Sequence, residues 1–114
     1  MKPHIKGCRS FPVTIFIAGE YRRAIKIAQQ YCDDIGLCVT VEPTTYVYTG
    51  GLERGVKVGL INYPRFPSDP ATILAKATEL ANKLREELNQ ESFSIQTPDA
   101  TVWHSYRKED ANED

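Results

Sequence analysis

The segment Leu37–Pro67, LCVTVEPTTYVYTGGLERGVKVGLINYPRFP, constrains this chain more than any other. It reads as one long β-hairpin set between two helical stretches. A hairpin between helices demands an antiparallel sheet with the helices packed on it. The first arm begins at Leu37 and continues through Thr44–Thr49, with Tyr46 and Tyr48 on one face. Pro43 cannot donate to a ladder, so an edge position or a bulge is expected there. Gly50-Gly51 and Glu53-Arg54-Gly55 bracket the expected turn, and Val56–Tyr63 forms the second arm. Gly59, inside that arm, is expected to leave room for a group to approach the backbone.

The flanking segments complete the pattern. Phe11–Ala18, FPVTIFIA, is β-branched and apolar on both faces, as expected of a central strand. Gly19 ends it. A helix from about Glu20 to Ile35 follows, with Ala24, Ile27, Ala28, Tyr31 and Ile35 at helical spacing and Gly36 as its C-terminal cap. Asp69 and Pro70 open a second helix whose stripe is Ile73, Leu74, Ala77, Leu80, Ala81, Leu84 and Leu88. Ser92–Gln96 reads as a strand, Thr97–Ala100 as a turn and Thr101–Tyr106 as a short last strand. The order predicts an α+β fold: a split β-α-β-β-α-β (ferredoxin-like) antiparallel sheet with two helices on one face and a short extra C-terminal strand. The uncovered face would be free for dimerisation or a ligand.

One domain, residues 1–106, suits a chain of 114 residues with 41% apolar and 25% charged side chains. Residues 107–114 hold four acids against two bases and read as a disordered acidic tail. A net charge of −1 argues against a nucleic-acid partner. Cys8, Cys32 and Cys38 show no metal-ligand spacing and read as reduced thiols, so no metal is expected. Met1–Ser10 has no apolar signal core, and no run is long enough to cross a bilayer. A protein acting in the cytoplasm is expected, with no membrane partner.

Candidate chemistry gathers in three places. The corner Asn62-Tyr63-Pro64-Arg65-Phe66-Pro67 offers rings to stack on and a guanidinium for phosphate or carboxylate. The entry to the first helix, Gly19-Glu20-Tyr21-Arg22-Arg23, offers Arg22 for an anion. The C-terminal segment offers Trp103 for stacking and Arg107 for charge, while His104 faces away from Trp103. No nucleophile–base pair lies beside any of them, so no catalytic residue is assigned and no cofactor is implied. The residues read as holding a ligand rather than converting it.

The hairpin with its exit (Gly36–Pro67), the capped helix after it and the SFSIQTPDATVWHS segment resemble the phage-encoded Thoeris anti-defence sponge proteins. The resemblance runs from about Val13 to Tyr106. It implies a non-enzymatic dimer or larger homo-oligomer in the host cytoplasm. Such a protein sequesters cyclic ADP-ribose isomers, and in some members cyclic oligonucleotides. It also implies an aromatic residue under adenine and arginines on the pyrophosphate, for which Tyr63, Arg65, Phe66, Trp103 and Arg107 are the chemical candidates. Three other readings stand beside it. A counter-defence protein that blocks a host protein directly would use the tyrosine face. An acylphosphatase-like enzyme would use Arg22 or Arg23 with Asn62, but the glycine-rich phosphate loop is missing. An RNA-binding module of this fold needs aromatics within the third strand, where only the terminal Tyr63 is found.

Overall fold

The computed structural model describes residues 1–111. Its elements run β1 (Val13–Ala18), α1 (Tyr21–Ile35), β2 (Thr40–Tyr48), β3 (Gly51–Leu60), α2 (Pro70–Glu87), β4 (Ser92–Gln96) and β5 (Thr101–Ser105). The sheet order is β2-β3-β1-β4-β5, with every pair antiparallel. This is the expected split arrangement with an added edge strand.

Local chemistry sets the helix ends. The Glu20 carboxylate accepts the Arg23 amide at 2.6 Å and caps α1. Gly36 ends α1 in the left-handed region, φ 77°, and its N–H returns to the Cys32 carbonyl at 2.8 Å. Asp69 caps α2 through the Thr72 amide at 2.7 Å, and Pro70 takes the first turn, where no N–H is needed.

The core lies between the sheet and the helices. Val13, Ile15 and Ile17 of β1, Val56, Val58 and Leu60 of β3, and Phe93 and Ile95 of β4 point to one side. Ala24, Ile27 and Tyr31 of α1 meet them there with Ile73, Ala77, Leu80, Ala81 and Leu84 of α2. Each large apolar side chain so buried contributes about 1.5–3 kcal/mol. Ile35 and Leu74, expected in these stripes, remain substantially exposed. Among the described residues no helix is long and apolar enough to cross a membrane.

The alternation leaves the other sheet face uncovered. One row on it reads Trp103, Ser94, Phe16, Lys57, Glu42 across the five strands. Tyr46 and Tyr48 share this face, as expected.

Several expectations need correction. The hairpin turn is tighter than the sequence implies, since β3 begins at Gly51 and the ladder runs unbroken from Thr40↔Gly59 to Tyr48↔Gly51. Glu53, Arg54 and Gly55 are strand, not turn. Pro43, by contrast, takes the edge position expected of it, since β2 is an edge strand, and it stays in register without a bulge. The space at Gly59 belongs to Thr40, whose Oγ1 would lie 2.6 Å from an added Cβ. In the expected disordered tail, residues 107–111 are placed. Lys108–Asp110 form a 3₁₀ turn, Arg107 pairs with Glu91 at 2.8 Å, and the Ser105 hydroxyl donates to Asp110. Residues 112–114 lie outside the described residues.

Candidate functional site

The sheet is incomplete at the carboxyl end of β1. Pairing of β1 with β3 stops at Ala18↔Gly55, while the β2–β3 hairpin runs on past it. The chain leaves β1 through Gly19, whose φ of 139° suits only glycine and whose N–H donates to the Arg54 carbonyl at 3.1 Å. Helix α1 then starts beside the hairpin. Between them opens a cleft of about 660 Å³, within the range of small-molecule sites. Glu20, Tyr21 and Arg22 form one wall; Thr44, Thr45 and Arg54 form the other.

Tyr46 braces this end of the sheet. Its hydroxyl donates to the Val56 carbonyl at 2.5 Å and accepts the Ile17 amide at 3.1 Å, bridging a residue pair of the β1–β3 ladder. Burial pushes the Tyr46 phenol above its ordinary pKa. Further along the hairpin the Tyr48 hydroxyl donates to the Glu53 carboxylate at 3.3 Å. A second depression, of about 510 Å³, runs along α1 past Arg23, Lys26, Gln29 and Glu87; no aromatic ring lines it.

The expected site residues do not converge. Arg22 alone reaches the cleft. The Asn62–Pro67 corner follows the carboxyl end of β3, which lies beside the start of β1, so it sits at the opposite end of the sheet. There Tyr63 and Phe66 meet edge to face at 6.1 Å and Arg65 stacks on Phe66 at 5.2 Å. Both ends of the Asn62 amide are engaged: Nδ2 donates to the Arg9 carbonyl at 2.8 Å and Oδ1 accepts the Ser68 amide at 2.9 Å. It ties the N-terminal segment to the entry of α2. Trp103 stands exposed on the uncovered face of β5, and His104 on the other side stacks on buried Phe93 at 4.7 Å. Arg107 is held by Glu91.

Sequence reasoning therefore missed Thr44, Thr45, Arg54 and the brace Tyr46. They come from segments far from Glu20–Arg22 in sequence, and Gly55, which receives Tyr46, reads from sequence as part of the turn.

No protein-family model and no curated protein matches this chain. Solved structures do. A phage SAM lyase in the apo state is 20% identical, covering 83% of this chain and 88% of its own, with a TM-score of 0.68. A phage SAM lyase in complex with S-methyl-5′-thioadenosine is 16% identical, covering 92% and 96%, with a TM-score of 0.70. At these identities the likeness is one of fold. It nonetheless corrects the expectations of a non-catalytic sponge and of no enzymatic role. Both of these structures are of an enzyme, one empty and one nucleoside-bound, that this chain resembles over most of its length.

Proposed function

We propose that this chain is a lyase that cleaves S-adenosylmethionine (SAM) in the cleft beside Gly19, releasing S-methyl-5′-thioadenosine. The observation that carries the reading is the near full-length match to phage SAM lyase, including its thioadenosine complex. The cleft agrees with it in size and chemistry. Tyr21 offers a ring for adenine, Thr44 and Thr45 offer hydroxyls for ribose, and the arginines offer charge.

The reaction also explains why no nucleophile–base pair is visible. A sulfonium sulfur leaves as a neutral thioether, so the substrate carries its own activated leaving group. Among the described residues Glu20 is the one carboxylate that lines the cleft, and it already serves as the α1 cap, so it is poorly placed to act as the base of an elimination. An internal displacement fits better. The substrate carboxylate attacks the carbon γ to it, the C–S bond breaks, the electron pair stays on sulfur, and the four-carbon arm closes to a lactone. The chain's part is to exclude water and hold the arm folded, which is catalysis by positioning.

The projecting hairpin carries Val47 and Leu52 as an exposed cross-strand pair. We include a homo-oligomer contact through this ribbon in the proposal, since two strands alone are marginally stable. Consumption of SAM would deprive methyl-transferring enzymes of their donor, a fitting role for a phage protein.

Incubation of the protein with SAM, followed by chromatography, tests the reading. Equimolar thioadenosine and lactone are expected. Recovery of unchanged SAM overturns the proposal.

A further inference from the structure

We infer that Arg54, with Arg22 on the facing wall, reads the carboxylate of the ligand's amino-acid arm and so sets the specificity of the cleft. This rests on the lyase reading above. Three arginines sit at this end of the molecule, and they differ in what they already hold. Arg23 is committed, donating its guanidinium to the Glu87 carbonyl at the end of α2. Arg22 and Arg54 both line the cleft and both are exposed. Among the described residues neither pairs with a carboxylate; the ion pairs there belong to Arg85 and Arg107.

The surroundings favour an anion between them. Past its Glu20 cap the first turn of α1 contains no acid, and the amides that Glu20 does not take add positive potential. Glu20 is turned to the Arg23 amide. Arg54 is also well founded, because its own carbonyl holds the Gly19 amide and fixes the backbone at the mouth of the cleft. From a backbone fixed in this way, a guanidinium can present its fork to a carboxylate in two parallel hydrogen bonds, which an ammonium cannot reproduce. In a ligand of the SAM class the carboxylate is the one anionic group. S-methyl-5′-thioadenosine has none, so the two arginines act on the reactive end of the substrate and leave the product unheld.

Two unreactive probes separate these terms. S-adenosylhomocysteine carries the carboxylate, and S-methyl-5′-thioadenosine lacks it. Calorimetry on the wild type, Arg54→Ala, Arg54→Lys and Arg22→Ala should show homocysteine-probe affinity falling roughly ten- to hundredfold in both alanine variants. Thioadenosine affinity should hold, and Arg54→Lys should recover part of the loss. Equal weakening of both probes, or of neither, in variants with wild-type unfolding midpoints overturns the inference. SAM turnover by the wild type is measured alongside. Turnover with an unchanged probe ratio in the variants defeats the carboxylate role alone; no turnover and no probe binding defeats the lyase reading and this inference together.

Discussion

The ring of Tyr46 lies against the bare backbone of Gly55, and this contact shapes the end of the sheet. A Cβ on residue 55 would come within 2.4 Å of the Tyr46 ring and 2.5 Å of the Ile17 carbonyl. The glycine therefore admits the ring, and the ring carries the hydroxyl to Ile17 and Val56. The cleft opens just beyond, where Gly55 itself contributes to the wall.

Gly55→Ala should consequently be among the more damaging single-methyl additions in the chain. Backbone stands on two sides of the new methyl, at Ile17 and Ala18, so no side chain can simply move aside. Overpacking of this kind costs about 1–3 kcal/mol. Urea unfolding of the variant should show a lowered midpoint, whereas Gly7→Ala, whose Cβ would meet nothing within 4 Å, should match the wild type.

Tyr46→Phe removes one oxygen and strands two backbone groups. The Ile17 N–H and the Val56 C=O both lose the partner that bridges them. An unsatisfied backbone group costs about 1–3 kcal/mol. The prediction is a loss of stability in that range, with early hydrogen exchange at the Ile17 amide. Wild-type exchange at Ile17 would show that β1 and β3 close directly on each other without the hydroxyl.

These contacts mark where the sequence stops being legible. Period-two apolar positions at Val13, Ile15 and Ile17, the Asp69-Pro70 start and the Gly36 stop are local signals, and the structure follows them. Gly55 is different. Read locally, a glycine after Glu-Arg marks a turn, but its purpose is to receive a tyrosine from the neighbouring strand. Asn62 likewise reads as a ligand group in an aromatic loop, and only the fold brings Arg9 and Ser68 to its two ends. The cleft joins residues 19–22, 43–45 and 54–55, three segments that no short motif could connect. The missing nucleophile reads as an absence of chemistry, whereas under the proposed lyase reading a sulfonium substrate would supply its own leaving group.

The corner at the far end of the sheet should prove structural. Asn62→Ala severs the tie between Arg9 and the loop before α2, at a cost of about 1 kcal/mol. Limited trypsin digestion should then cut after Arg9 faster than in the wild type. Arg65→Ala and Phe66→Ala lie at the opposite end from the cleft and should leave SAM turnover unchanged. Loss of turnover in either, with normal melting, would move the site to the corner.

Alkaline pH should expose the buried phenols. Burial raises the pKa of Tyr31, which is 2% exposed and donates its hydroxyl to the Lys76 carbonyl, and burial also raises that of Tyr46. In the unfolded chain both ionise near pH 10. Above that value the unfolded state sheds protons that the folded state retains, so unfolding is favoured as pH climbs. The stabilisation is therefore complete below about pH 10 and is lost as pH rises through the higher folded values. Spectrophotometric titration should show the last phenols ionising together with the loss of helical circular dichroism. Tyr46→Phe should start less stable but decline less steeply above pH 10; an identical slope would mean that the Tyr46 phenol ionises freely in the folded protein.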